Sequence, residues 1–456
     1  MSVKINSLLF KKHNISGPRY TSYPTAPNFH TGQTITDWQN AMDRSNESEK
    51  DLSLYFHIPF CHSLCYFCGC TMKVTRNQDL INNYLSFLNK EIYLVSNKIN
   101  RNRKVTQIHF GGGSPNFLNP AQIQQLGENI SNYFNISENV EFSCEVDPRK
   151  FSKQHITVLK DIGVNRISIG VQDFNPIVQK KINRINTIEM INSIVKQLQD
   201  SGLESINMDL IYGLPNQTPE SFSDTLTQVL SINPSRLAVY NFAYIPRLRP
   251  HQKLINKYDL PSPDQKLVML QMIIEKLTSN GYEFIGMDHF AKIDDDLTIA
   301  QKNGSLTRNF QGYSTQKSTD LFAFGISSIS QFGDAYFQNY KDFENYYQCL
   351  NKNQLAFEKG YSMSTIDKHI NTTIMTLMCD MSINYRSISK ILEVDFQEYF
   401  YVELSQIRDS FEGDGLVKFN SDGFFVTKLG RLYIRNIVMK FDKYLNQKKT
   451  VYSKTV

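Results

Sequence analysis

The chain has 456 residues, 41% hydrophobic and 20% charged, with a formal net charge of +5. That length can bury a sizeable core in more than one domain, while no apolar run approaches the roughly 18 residues of a membrane span. The small charge excess and the scattered aromatics offer neither a basic face for DNA nor a stacking stripe for RNA, so no nucleic-acid partner is expected.

The start, MSVKINSLLFKKHN, lacks an apolar stretch long enough for a secretory signal. Of seven cysteines, four fall within CHSLCYFCGC (61–70), and Cys144, Cys349 and Cys379 are scattered. This is not a secreted disulfide framework. A cytoplasmic protein whose clustered thiols bind metal is expected.

In chain order, GPRYTSYPTA (17–26) carries Pro18 and Pro24, with Pro27 just beyond. It is expected to run extended across the site rather than as a helix. Apolar runs then recur: LSLYFHI from 52, VTQIHF from 105, VEFSCEV from 140, RISIGV from 166, SINMDLIY from 205, RLAVYNF from 236 and YEFIGM from 282. Between them lie helix-like segments such as DLINNYLSFLNKEIYLV and TPESFSDTLTQVL, the latter with Thr218 as cap and Pro219 in the first turn. Strands alternating with helices imply βαβ units and a parallel α/β sheet, closed as a full or partial (βα) barrel. Chemistry in such folds collects at the C-terminal strand ends. Those ends read HIPFC, HFGGGSP, EVDP, GVQDF, DLIYGLP, NFAY and GMDHF, placing Glu145, Asp147, Gln172, Asp209 and Asn241 there. Any one of these could be a cap or turn residue; together they exceed what turns require.

The C-terminal part reads as a helix from about 365, a hairpin around Asn-Ser-Asp-Gly, and a helix over GRLYIRNIVMKFDKYL (430–445), followed by the basic stretch NQKKT (446–450). A mostly helical, winged-helix-like domain is expected, serving as a lid or substrate-side wall. The expected divisions are an arm over 1–50, a βα-barrel domain over 51–300, a connecting segment over 301–360 and the C-terminal domain over 361–456.

Cys61, Cys65 and Cys68 have C-x3-C-x2-C spacing on the loop leaving the first strand. With Cys70 they could enclose a zinc ion, but almost no chain separates Cys68 from Cys70 to wrap one. A 4Fe-4S cube accepts three thiolates and leaves one iron free for a substrate's amino and carboxylate groups.

This motif, followed by a glycine run after the second strand, resembles the radical S-adenosylmethionine superfamily. With Cys70, GPRYTSYPTA, EVDPR (145–149), GVQDF (170–174), DLIYGLP (209–215), GMDHFA (286–291) and RNFQGYST (308–315), the sequence is similar to the oxygen-independent coproporphyrinogen III oxidase family. The resemblance implies that Cys61, Cys65 and Cys68 ligate a 4Fe-4S cluster. It also implies that Tyr55, Gly112, Glu145 and Ile329 hold the S-adenosylmethionine that is cleaved. A second such molecule would be met by Phe67, Gly113, Ser114, Gln172, Arg184, Asp209 and Ala243. The implied reaction turns two propionates of coproporphyrinogen III into vinyls, giving protoporphyrinogen IX by way of a 5′-deoxyadenosyl radical. A small reducing protein such as flavodoxin or ferredoxin is the implied electron donor, and a monomer is expected.

Without the resemblance Arg184 would read as a helix-surface arginine. Cys70 is expected beside the cluster rather than on it, and His57 and His62 as hydrogen-bonded structural histidines. Arg19, Arg149, Arg166 and Arg308 are the candidate cations for the substrate's four propionates. Two positions depart from the family pattern: Tyr244 and Thr307 stand where histidines are usual. A related heme chaperone is the first alternative; such chaperones lack the fourth cysteine and RNFQGY. A heme-opening radical methyltransferase is the second.

Overall fold

The β-branched and aromatic runs pair into one large sheet. The computed structural model describes residues 7–316, 319–445 and 452–455. Its central strands are β1 (Leu52–Ile58), β2 (Lys104–Gly112), β3 (Asn135–Val146), β4 (Arg166–Gln172), β5 (Ser205–Tyr212) and β6 (Arg236–Asn241). They lie side by side in chain order, each neighbouring pair parallel. Parallel neighbours need long crossovers. Helices α1 (Gln78–Ser96), α2 (Pro120–Tyr133), α3 (Lys153–Asp161), α4 (Ile188–Asp200) and α5 (Pro219–Ile232) supply them. In α4, Ile191, Ile194, Val195 and Leu198 are buried, the spacing of one helix face turned to a sheet. Thr218 caps α5, its hydroxyl accepting from the N–H of Ser221. Parallel order brings all six C-terminal strand ends to one rim.

The run from 282 does not extend this parallel series. After α6 (Pro263–Thr278), β7 (Tyr282–Gly286) and β8 (His289–Lys292) form an antiparallel pair, with β8 against β6. Met287 and Asp288 alone separate them, too short a link for a crossover. The seventh parallel strand comes instead from β9 (Asp320–Phe324), which pairs with β1 on its free side. Antiparallel β10 (Ile329–Phe332), β11 (Ala335–Asn339) and β12 (Phe357–Ser362) follow. The resulting order is β12-β11-β10-β9-β1-β2-β3-β4-β5-β6-β8-β7. Among the described residues its two edges do not pair with each other, so of the two expected forms the partial barrel is the one observed.

Phe56, Ile108, Phe110, Ile167, Met208 and Leu237 sit in the main core between sheet and helices. A second core joins Phe10, Tyr20 and Tyr23 to the C-terminal residues from Ile370 to Phe441. As expected, no helix forms over 17–25; the segment bends at 21–24 and is anchored: Tyr20 donates to Asp442 at 2.8 Å, and Tyr336 to the carbonyl of Tyr23 at 3.1 Å. The C-terminal unit has a helix over Thr365–Asp380 and the expected hairpin, Val417–Asn420 with Gly423–Val426. Ser382–Asn384 adds a third strand to that hairpin. The expected continuous helix over 430–445 is instead three short turns, Gly430–Tyr433, Ile434–Val438 and Met439–Phe441. Ile434 through Val438 are all buried. A segment enclosed on every side is shaped by its packing rather than by one amphipathic face. The basic stretch 446–450 lies outside the described residues.

Candidate active site

β1 ends at Ile58. The two-residue strand Phe60–Cys61 then pairs with Lys73–Val74, closing the cysteine loop at its base. Cys65 is buried, Cys61 and Cys68 are half-buried, and Cys70 is exposed. Each of the first three sulfurs has its own polar neighbour. Ser114 Oγ lies 3.8 Å from Cys61 Sγ. Cys65 Sγ accepts from Arg149 Nη2 at 3.5 Å and Arg184 Nη1 at 3.9 Å. Cys68 Sγ accepts from the backbone N–H of Cys70 at 3.4 Å. Hydrogen bonds from the Cys70 side chain and N–H draw the Cys68 thiol below its ordinary value, whereas burial pushes that of Cys61 up to about 12. Donors and guanidinium charge are what hold thiolates as metal ligands. Among the described residues no three His, Cys, Asp or Glu side chains converge on a single ion position.

Asp147, just beyond β3, organises the ground beneath Cys65. It is 5% exposed and takes Arg149 Nη2 at 2.6 Å and Arg184 Nη1 at 2.9 Å. Burial pushes its carboxyl up, but Arg184 and Arg149 outweigh that and hold it below its ordinary value. Arg184, which local sequence would leave on a helix surface, is buried and also donates to the carbonyl of Gly170 at 2.6 Å.

The other implied residues fall on or near the rim. Tyr55 on β1 stacks on His109 with ring centroids 5.8 Å apart. Glu145 ends β3, accepting from Gly112 N–H at 3.3 Å and lying 3.2 Å from His109 Nε2. Gly112 has φ +118°, and a Cβ there would come within 2.8 Å of the His57 ring. Gly113 has no room either: a Cβ would lie 2.7 Å from the Phe60 carbonyl oxygen and 3.0 Å from Cys61 Sγ. Gln172 closes β4 in the left-handed region at φ +70°. Asp209 on β5 accepts from Ser168 at 3.1 Å and Asn207 at 2.9 Å. Burial, then the charge of Glu145, raises its carboxyl to about 6. Phe67 and Ala243 are tied together, because Gln252 Nε2 donates to both carbonyls at 3.2 Å. Ile329 starts β10, two strands from β1; β10 is antiparallel to β9, so its start lies on the same rim as the C-terminal ends of the parallel strands.

His57 is hydrogen-bonded as expected, its Nε2 donating to the Thr71 carbonyl at 2.9 Å and its Nδ1 3.0 Å from Tyr55 Oη. His62 packs on Phe117 with centroids 4.4 Å apart. Arg149 is committed to Asp147, and Arg166 pairs with Glu141 at 3.3 Å. Sequence reading missed His251 and Gln252. His251 donates to the Cys68 carbonyl at 2.7 Å. Both come from a short turn, Pro250–Leu254, with no local signal of its proximity to the cysteines.

Residues 55–229 match the Radical SAM superfamily. The chain is 43% identical over 98% of its length to oxygen-independent coproporphyrinogen III oxidase of Helicobacter pylori strain 26695, covering 98% of that protein. It is 46% identical over 96% of its length to the protein of that name from Escherichia coli K12, covering 95% of it. The chain belongs to the oxygen-independent coproporphyrinogen III oxidase family. The solved structure of coproporphyrinogen III oxidase (HemN) from Escherichia coli, titled a Radical SAM enzyme, superposes with a TM-score of 0.93 at 43% identity, covering 98% of this chain and all of that one.

Members of this superfamily use a 4Fe-4S cluster with S-adenosylmethionine, and the residues present fit both. Three cysteines on one loop, each with a polar neighbour at its sulfur, suit a cube with one free iron. Arg184 Nε and Asn241 Oδ1 are buried without partners, a donor and an acceptor for a zwitterionic ligand along the rim. The steric limits at Gly112 and Gly113 leave backbone as the only wall there.

Proposed function

We propose that the chain catalyses the anaerobic oxidative decarboxylation of two propionates of coproporphyrinogen III, giving protoporphyrinogen IX in heme biosynthesis. The observation that carries this is 43% and 46% identity, over 98% and 96% of the chain, to two coproporphyrinogen III oxidases, with the three-cysteine loop at the rim of the sheet. When bound, the cluster and S-adenosylmethionine supply a 5′-deoxyadenosyl radical able to take a hydrogen from a propionate β-carbon.

Cys61, Cys65 and Cys68 hold the cluster. Tyr55, Gly112, Glu145 and Ile329 hold the S-adenosylmethionine that is cleaved. Glu145 offers a carboxylate to its ammonium, and Gly112 lets backbone approach closely. Phe67, Gly113, Ser114, Gln172, Arg184, Asp209 and Ala243 line a second site for the same cofactor. Arg184 suits a carboxylate there, and Asp209 suits a ribose diol or an ammonium. Cys70 stays beside the cluster and acts on Cys68 through its N–H. The working parts are the arm (1–50), the radical-generating unit (51–300), the connecting segment (301–360) and a C-terminal lid (361–456).

Among the described residues no helix is long and apolar enough to cross a membrane, and all seven cysteines are free. The latter supports a reducing cytoplasm. A monomer reduced by a small protein such as flavodoxin or ferredoxin completes the reading.

The test is anaerobic incubation with dithionite, S-adenosylmethionine and coproporphyrinogen III. Protoporphyrinogen IX with two CO2 per ring system is expected. Deoxyadenosine without any porphyrin product would keep the radical chemistry and remove this substrate.

A further inference from the structure

Beyond Ala243 the rim opens into a cavity of about 480 Å³ between the N-terminal segment, the ends of β5 and β6, and the C-terminal unit. Its walls carry Arg19, Lys266, Arg431, Arg435 and Lys454 against one carboxylate, Asp288. Arg19 pairs with Asp288. The other four find only neutral oxygens. Lys266 Nζ donates to the Phe242 carbonyl at 3.4 Å and Arg431 Nη1 to that of Phe284 at 3.1 Å. Arg435, 4% exposed, donates to the carbonyls of Pro18 at 2.8 Å and Lys454 at 2.7 Å, and Lys454 Nζ to that of Asn14 at 3.2 Å. None of these four meets a carboxylate within ion-pair distance among the described residues. Arg308 adds its charge from behind Arg19, buried and held by the Tyr20 carbonyl at 3.3 Å and the Tyr313 ring at 4.6 Å.

Arg435 has a structural task, since its guanidinium clamps the carbonyls of Gly17 and Pro18. Lys266 and Arg431 have no such task beyond one carbonyl each. Like charges gathered in a partly dry cavity repel one another, and an anionic ligand relieves that repulsion. Tyr212, Phe242 and Met287 supply apolar wall between the cations. Cations at the edges and apolar surface between them match a flat apolar ring carrying several carboxylates.

We propose that this cavity takes the propionate carboxylates of the substrate that are not reacting, with Lys266 and Arg431 as their direct partners. This rests on the function proposed above. The cavity adjoins the radical source because Gln252 ties Ala243 in its wall to Phe67 of the cysteine loop.

The experiment is a fluorescence titration of the full chain with coproporphyrin III, the air-stable tetracarboxylate ring, with protoporphyrin IX, which keeps the two non-reacting propionates, and with coproporphyrin III tetramethyl ester, which has no free carboxylate. Lys266→Gln and Arg431→Gln are each expected to weaken coproporphyrin binding about 10-fold or more, the value of a charge-assisted hydrogen bond. Protoporphyrin IX binding should weaken by a similar factor, because its two carboxylates are the non-reacting ones, binding of the tetramethyl ester should change far less, and Lys266→Arg should keep most of the wild-type affinity. Unchanged coproporphyrin binding in both glutamine variants, with wild-type iron content and circular dichroism, overturns the proposal. So does weakening toward coproporphyrin alone, or equal weakening toward the tetramethyl ester. The titration needs no turnover. Failure of the wild type to make protoporphyrinogen would sink the proposed function, while the titration judges the cavity independently.

Discussion

Arg184 Nη1 meets Asp147 Oδ2 at 2.9 Å, directly beneath the buried sulfur of Cys65. The pair converts a helix-end arginine and a turn aspartate into the floor of the cluster loop. Asp147→Asn would leave two guanidinium groups facing each other without a carboxylate. Removing one partner from a buried ion pair costs about 3–5 kcal/mol. Anaerobic urea unfolding should show a loss of that order together with lower iron content after reconstitution. A fully iron-loaded variant of wild-type stability would contradict this role.

Gly113→Ala should damage the site without touching any charge. Its Cβ would press on the Phe60 carbonyl and on Cys61 Sγ, both held by the short pairing of Phe60–Cys61 with Lys73–Val74. The expected outcome is a cluster that reconstitutes poorly and S-adenosylmethionine binding at least 10-fold weaker. Equilibrium dialysis with the radiolabelled cofactor reads the latter.

Cys70→Ala separates the fourth cysteine from the other three. Its backbone N–H would still reach Cys68, so iron content measured after anaerobic reconstitution should remain near wild type. Cys61→Ala, Cys65→Ala and Cys68→Ala should each abolish the cluster's absorption and the activity. Iron loss in Cys70→Ala equal to theirs would make it a ligand.

Glu91 on α1 gives a pH-dependent stability. It is 3% exposed and accepts from Gly325 N–H at 2.7 Å, Tyr346 Oη at 2.7 Å and Asn339 Nδ2 at 2.6 Å. Burial pushes its carboxyl up to about 7 from an ordinary 4.5. Between those values the folded chain holds a proton that the unfolded chain releases, so stability falls as pH rises from about 4.5 to about 7. The loss is on the order of 3 kcal/mol. Glu91→Gln, which carries no titrating carboxyl, should flatten this part of the profile in urea unfolding followed across that range.

The sequence by itself determined the alternation of strands and helices, because each element's apolar spacing is local, as in α4. It also marked the cysteine loop and the glycines after β2, since a ligand set on one loop and a backbone-only wall must be written in adjacent residues. Tertiary structure decided what lies far apart in the chain. β9 fills the free side of β1 across 268 residues, from Leu52 to Asp320, and the run from 282 turns back on itself for want of a linker. Arg184 became part of the site only by reaching Asp147. His251 and Gln252 did so through carbonyls of the cysteine loop, contacts that leave no trace in side-chain pattern. The cationic cavity shows the same limit. Arg19, Lys266 and Arg431 are ordinary surface-type residues in their own segments, and their shared environment exists only once the arm is packed between sheet and C-terminal unit.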